Sequence, residues 1–292
     1  MKSHCRTKGS IFILTSAFFY ASYGIWSKLM STSFNEFSQA WTRGLLLTAV
    51  ILLINFKYKI LRPVKKQDWI WFIIIALAGG LNQAPYFFGF KHLDIGTATL
   101  LFYAALVIGG YIIGKLAFNE KLTEVKLFSL TLAVIGMLTI YKLTLSPNQF
   151  LAAGLTVVAG LMGSCTVALS KKLSGNYEEV QIMLGYFIVM IFANSLLGFL
   201  FHESLPSISN TAVWIAWLGY AASMLIANWA AIEGFKYVSA IVGSLIGLGE
   251  ILFGILFGII IFGEVLTIGT VLGAMLIIVS ASLPNLIKNW DN

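Results

Sequence analysis

Residues 89–123 read GFKHLDIGTATLLFYAALVIGGYIIGKLAFNEKLT, and residues 234–267 read GFKYVSAIVGSLIGLGEILFGILFGIIIFGEVLT. Each stretch opens on Gly-Phe-Lys, crosses an apolar run rich in small residues, and closes on Phe-x-Glu-x-Leu-Thr. Gly89 and Gly234 stand 145 residues apart and Glu120 and Glu264 stand 144 apart, half of a 292-residue chain. A repeat at that period decides the architecture before any local pattern does.

Composition names the solvent. Apolar residues make up 59% of the chain and charged ones 11%, with a mean hydropathy of +0.88. A soluble domain is about 45–50% apolar and about 25% charged. So much apolar surface cannot be hidden in a fold of this size, so lipid must cover most of it. The net charge of +7 does not point to nucleic acid, because the basic residues sit in short connectors between apolar runs rather than on one face. Cys5, in the basic tail, and Cys165, inside an apolar run, do not read as a disulfide pair. Residues 11–26 follow a basic tail as a signal peptide would. No small-x-small cleavage site follows, so the run reads as a retained first transmembrane helix.

Ten apolar runs reach spanning length: 10–29, 38–56, 69–90, 95–117, 124–142, 151–170, 180–201, 213–235, 239–262 and 266–287. At 1.5 Å per residue each crosses a hydrocarbon core of about 30 Å. The runs are continuously apolar rather than alternating, which excludes a membrane barrel and predicts an all-α integral membrane protein. With the N-terminus in the cytoplasm, fifteen Lys and Arg fall in inside segments, Lys2 and Lys288 among them, against Lys28, Lys91 and Lys142 outside. That bias puts both termini inside. Five spans per half is odd, so the second half enters the membrane in the opposite sense, a 5+5 inverted repeat with its site at the interface of the halves. Leu145–Gln149, with Pro147, is the natural joint, which gives halves of 1–145 and 146–292.

Each half resembles the EamA domain of the drug/metabolite transporter superfamily. In the first half the resemblance rests on Trp26 with Lys28, on Trp41-Thr-Arg43-Gly-Leu-Leu-Leu, and on Gly89-Phe-Lys followed by Gly96-Thr-Ala. In the second it rests on Gly154, Ala168-Leu-Ser-Lys-Lys, Glu233-Gly-Phe-Lys, Ser239-Ala, Leu248-Gly-Glu250 and Phe262-Gly-Glu264 with Leu266-Thr. The resemblance implies ten spans in two inverted halves and transport of small organic molecules. The superfamily moves amino acids, nucleotide sugars, drugs and other metabolites. Its usual proline in the fourth and ninth spans is replaced here by Leu106 and Ile251, so any bend there must come from glycines such as Gly109, Gly110 and Gly254.

Enzyme chemistry has little support. His4, His92 and His202 lie in the tail and outer connectors, far apart, and no metal, nucleophile or phosphate-binding motif is present, so no cofactor is expected. Ionisable and amide groups at membrane depth carry more. Glu250 lies near the middle of the ninth span, where insertion costs roughly 3 kcal/mol, and reads either as a group binding solute or a coupling proton or as a hydrogen-bonded structural glutamate. Glu233 reads as a partner of Lys236. Arg43, one turn inside the second span, either meets a solute carboxylate or gate, or snorkels to the interface. At the repeat offset Gln83 corresponds to Asn228, which puts two amides near the midplane, with Asn82, Pro85, Tyr86 and Tyr103 around one and Trp229 and Glu250 around the other. Amides in hydrocarbon must find partners, so these residues either line a wet cavity or bond their own helices. Asn194, Ser195, Ser164 and Thr166 are weaker candidates, as are Tyr20, Tyr23 and Trp26.

The expectation is a secondary transporter, exporter or exchanger, of a small metabolite such as an amino acid, in the bacterial inner membrane. Proton coupling would act through Glu250, and no sequence feature fixes the oligomeric state. The competing expectation is a membrane protein that acts through partners, as a receptor or assembly factor. It predicts polar midplane residues packed together with no cavity between them.

Overall fold

The computed structural model describes residues 2–30, 33–141, 145–206, 211–263 and 265–286. Glu264, Lys142 and Lys288 lie outside the described residues, as do the side chains of Lys2, His4 and Cys5. Every regular element described is helical: α1 (Lys2–Ala21), α2 (Tyr23–Met30), α3 (Glu36–Tyr58), α4 (Trp69–Leu81), α5 (Gln83–His92), α6 (Ile95–Phe118) and α7 (Glu124–Ile140). After a short connector follow α8 (Phe150–Leu169), α9 (Glu179–Leu200), α10 (Thr211–Tyr237), α11 (Ala240–Gly247), α12 (Gly249–Phe262) and α13 (Ile268–Leu286).

Among the described residues eight helical segments are long and apolar enough to cross a membrane, and three of them run through a break: Arg6–Met30, Lys66–His92 and Ala240–Phe262. The expected spans at 124–142 and 266–287 correspond to α7, of 17 residues, and α13, and both fall outside that set of eight. Large apolar side chains such as Phe56, Phe192, Phe199 and Ile260 stand exposed on the outside, as a surface solvated by lipid requires. The interior is apolar as well. One cluster joins α3, α4, α8, α9 and α10 through Ile75, Phe187 and Met190, and another joins α6, α7, α11 and α13 through Val107, Met137 and Ile277.

The breaks have local causes. Pro85 has no N–H to donate to the Leu81 carbonyl, so the helix stops at Leu81 and restarts at Gln83. The ninth expected span divides at Leu248, between Gly247 and Gly249, with the Leu248 amide bonded to the Leu245 carbonyl at 3.2 Å. That is where glycine weakens the helix most, and not at Gly254. The fourth, α6, runs unbroken past Leu106.

The repeat's closing motif also gains a cause. Asn119 (φ 51°) and Gly263 (φ 67°) occupy the left-handed region that ends a helix, and Asn and Gly tolerate it best. The reversal at Asn119 sends Glu120 to the start of α11, where its carboxylate accepts the Ala240 amide at 2.6 Å and the Ile241 amide at 3.2 Å. Ser239 Oγ takes the Val242 amide, so the first amides of α11 are satisfied although the helix starts inside the protein.

Candidate functional site

A cavity of about 160 Å³ lies within the bundle, several times the roughly 10–15 Å³ that holds one water. Helices α1, α2, α4 to α6 and α8 to α12 wall it. It is lined by Asn82, Gln83, Tyr86, Tyr103, Asn228 and Glu250, so six of the eight residues singled out in the sequence share one space. Tyr20, Tyr23 and Thr166 join them.

Each polar group is positioned from its own helix. Asn228 sits mid-way along α10, where it donates from Nδ2 to the Met224 carbonyl at 2.8 Å. Its Oδ1 accepts from the Tyr20 hydroxyl at 2.9 Å, which ties α1 to α10 at the cavity wall. Both readings of the amide therefore hold at once, since it bonds its helix and still lines the cavity. The break at Asn82 turns Gln83 and Tyr86 into the space. Tyr86 lies 4.2 Å from the Phe102 ring and Phe102 meets Tyr103 edge-on at 5.3 Å, an aromatic wall from α5 to α6. Tyr103 faces the same space as Glu250, the first-turn acid of α12 just beyond the Leu248 break.

Two of the chosen residues are outside the cavity lining: Trp229 turns away from it, and for Arg43 the snorkelling alternative falls. Trp229 follows Asn228 directly, but the next residue on a helix is turned by about 100°. It is 38% exposed on the outer face and packs edge-on against Phe12. Arg43 does not snorkel. It is 0% exposed, with its guanidinium 3.6 Å from the centre of the Tyr220 ring. Trp26 also stays out of the cavity, donating to Ser22 and Ser223. Asn194 bonds the Met190 carbonyl within its own helix.

Sequence reading missed Tyr186, which enters the cavity from α9, and Ser244, which lines it from α11. Both lie in runs whose apolar pattern hides a single polar atom. A second, more open pocket of about 1090 Å³ is lined by Ala84, Pro85, Phe88, Lys91, His202 and Glu203 among others. Helix α5 thus shows one face to each space. At the other end of the bundle Lys236 bonds Glu179, and it pairs with Glu233 at 2.6 Å, the partner expected. Lys8 and Tyr237 complete that cluster, which ties α1, α9 and α10 together.

An all-helical membrane protein that encloses a cavity of amides, phenols and one carboxylate has the architecture of a membrane transporter. The model of the EamA-like transporter family matches residues 7–142 and again 150–286, and the chain belongs to that family. Two proteins from strains of Helicobacter pylori, each described as an uncharacterized transporter, are 23% identical over 284 residues, covering 91% of this chain and 92% of theirs. A solved crystal structure superposes with a TM-score of 0.82 at 13% identity, over 96% of this chain and 97% of that one, a likeness of fold. Family and relatives point to a multi-pass membrane transporter rather than an enzyme.

Proposed function

We propose that the chain is a secondary transporter of a small organic solute, an exporter or exchanger working by alternating access around this cavity. The observation that carries the reading is the meeting of Gln83, Asn228 and Glu250, from three different spans, in one space with room for a solute. A protein acting only through partners has no need of such a space, and burying amides and a carboxylate around it is costly unless something polar enters. Gln83, Asn82, Tyr86, Tyr103 and Asn228 bind the solute. Glu250 meets the solute or a coupling proton.

The halves, 1–145 and 146–292, form a ten-span inverted repeat with both termini cytoplasmic. Support comes from the double family match and from the packing, in which helices meet in pairs related by the repeat. Thus α3 lies on α9 and α7 on α13, while α1 on α10 is mirrored by α4 and α5 on α8. The bacterial source of the relatives supports an inner-membrane location.

Comparing metabolites retained by cells with and without the protein identifies the solute, and reconstitution then tests coupling. In proteoliposomes, Glu250→Gln is expected to abolish accumulation driven by a pH gradient while solute exchange persists. Uptake that ignores the gradient, and is unchanged in the variant, removes the proton from the mechanism.

A further inference from the structure

We propose that Arg43, which packs on Tyr220 just behind the cavity-lining Tyr23, is the anchor for a carboxylate carried by the transported solute. The proposal rests on the transport reading above and goes further, to the chemistry of the cargo.

Arg43 heads the largest fully buried side chains, and Nε, Nη1 and Nη2 are all without a hydrogen-bond partner among the described residues. The face of Tyr220 is the group that meets the guanidinium. A cation–π contact offsets part of the lost hydration, but a buried cation with no anion remains costly. The acceptors nearest in sequence are already engaged, Gln39 Oε1 by Ser27 and Thr42 Oγ1 by Trp217. Such a group persists when what it binds is absent from the chain.

Two further donors share that neighbourhood. The hydroxyls of Tyr23 and Tyr186 are buried and have no partner either. Both residues line the cavity, and the Tyr23 ring lies 4.7 Å from the same Tyr220 ring that Arg43 covers. A guanidinium and two phenols, all unanswered, call for a ligand rich in acceptors. A carboxylate has acceptor oxygens alone, and its geometry matches the planar fork of arginine. The acceptor end of the cavity is elsewhere, at Glu250. Access has a structural basis as well, because Tyr23 is the first residue of α2, just past the break at Ser22.

The test is thermal unfolding of the purified full chain, wild type, Arg43→Lys and Arg43→Met. The probes are each L-amino acid, the matching amino-acid amides, the plain carboxylates lactate and benzoate, and chloride at equal ionic strength. At least one carboxylate is expected to raise the wild-type Tm by several degrees while its amide does not. Arg43→Met is expected to melt at or above wild type without a probe, since it deletes an unpaired buried charge, and to lose the carboxylate shift; Arg43→Lys should keep only a reduced one. Amino acids acting where lactate and benzoate do not support a zwitterion spanning to Glu250, and equal action supports the carboxylate alone. The proposal is overturned by amides that act as well as acids, by a shift retained in Arg43→Met, by an Arg43→Met variant that melts well below wild type, or by no carboxylate acting at all. A neutral or cationic probe that both stabilises and is transported leaves the transport reading standing and removes only the anion. If nothing in the panel binds and no solute moves, both fall.

Discussion

Replacing Glu120 by alanine should loosen a helix that begins 120 residues further along the chain. The Glu120 carboxylate holds the Ala240 and Ile241 amides at 2.6 and 3.2 Å. Removing it leaves two N–H groups at the start of α11 unanswered and withdraws a negative charge from the positive end of a helix. Hydrogen bonds to a charged group contribute about 1.5–3 kcal/mol each when buried. Glu120 is half-buried, so the lower end applies to each bond, and the helix-end charge adds about 0.5 kcal/mol. The expected loss is about 3.5 kcal/mol, or roughly 5–10 °C in Tm. Circular dichroism of the purified protein in detergent measures it. Glu120→Gln keeps an acceptor oxygen for one amide and should lose about half as much. Lys121→Ala, exposed beside it, serves as the control. If Glu120→Ala melts within about 1 °C of wild type, the capping account of the repeat's closing motif is wrong. If glutamine and alanine cost the same, the charge and not the geometry was at work.

Two other outcomes follow. Lys236→Met strands Glu179, 10% exposed, leaves Glu233 to Tyr237 and Lys8, and should cost about 3 kcal/mol. Adding Glu179→Gln should recover part of that loss, and additive losses in the double-mutant cycle would show that the cluster is not a unit. Asn228→Leu removes the acceptor of Tyr20 and a polar wall, and should slow transport about tenfold or more, the equivalent of about 1.4 kcal/mol. Trp229→Leu, on the outer face, should transport within about twofold of wild type. Equal effects from the two neighbours would contradict the assignment of faces.

Much of the helical frame was legible, because hydropathy reports what lipid and core both demand. The expected 38–56 and 213–235 appear as Glu36–Tyr58 and Thr211–Tyr237, two residues longer at each end. The breaks were harder to read. Pro85 announces one of them, but the residues around Leu248 are apolar and small, so no hydropathy window registers a change there. Within the site, Gln83 and Asn228 could be matched through the repeat, whereas Trp229 was chosen by adjacency and helical rotation turns it away. Arg43 was the least legible. What buries it is Tyr220, a residue of α10 far along the chain, and nothing near Arg43 in sequence announces that ring.

Two of the three breaks at the cavity have one more consequence. Where α4 gives way to α5, the Leu81 carbonyl has no proline N–H to receive. Where α11 gives way to α12, the Leu248 amide turns to Leu245, so the Ser244 carbonyl loses the donor that a regular helix would supply. Both carbonyls belong to the peptide chain itself, beside residues that line the space. These backbone acceptors are invisible to alanine scanning, since every substitution keeps its carbonyl. Pro85 is the exception: restoring its N–H would silence an acceptor without touching a polar side chain.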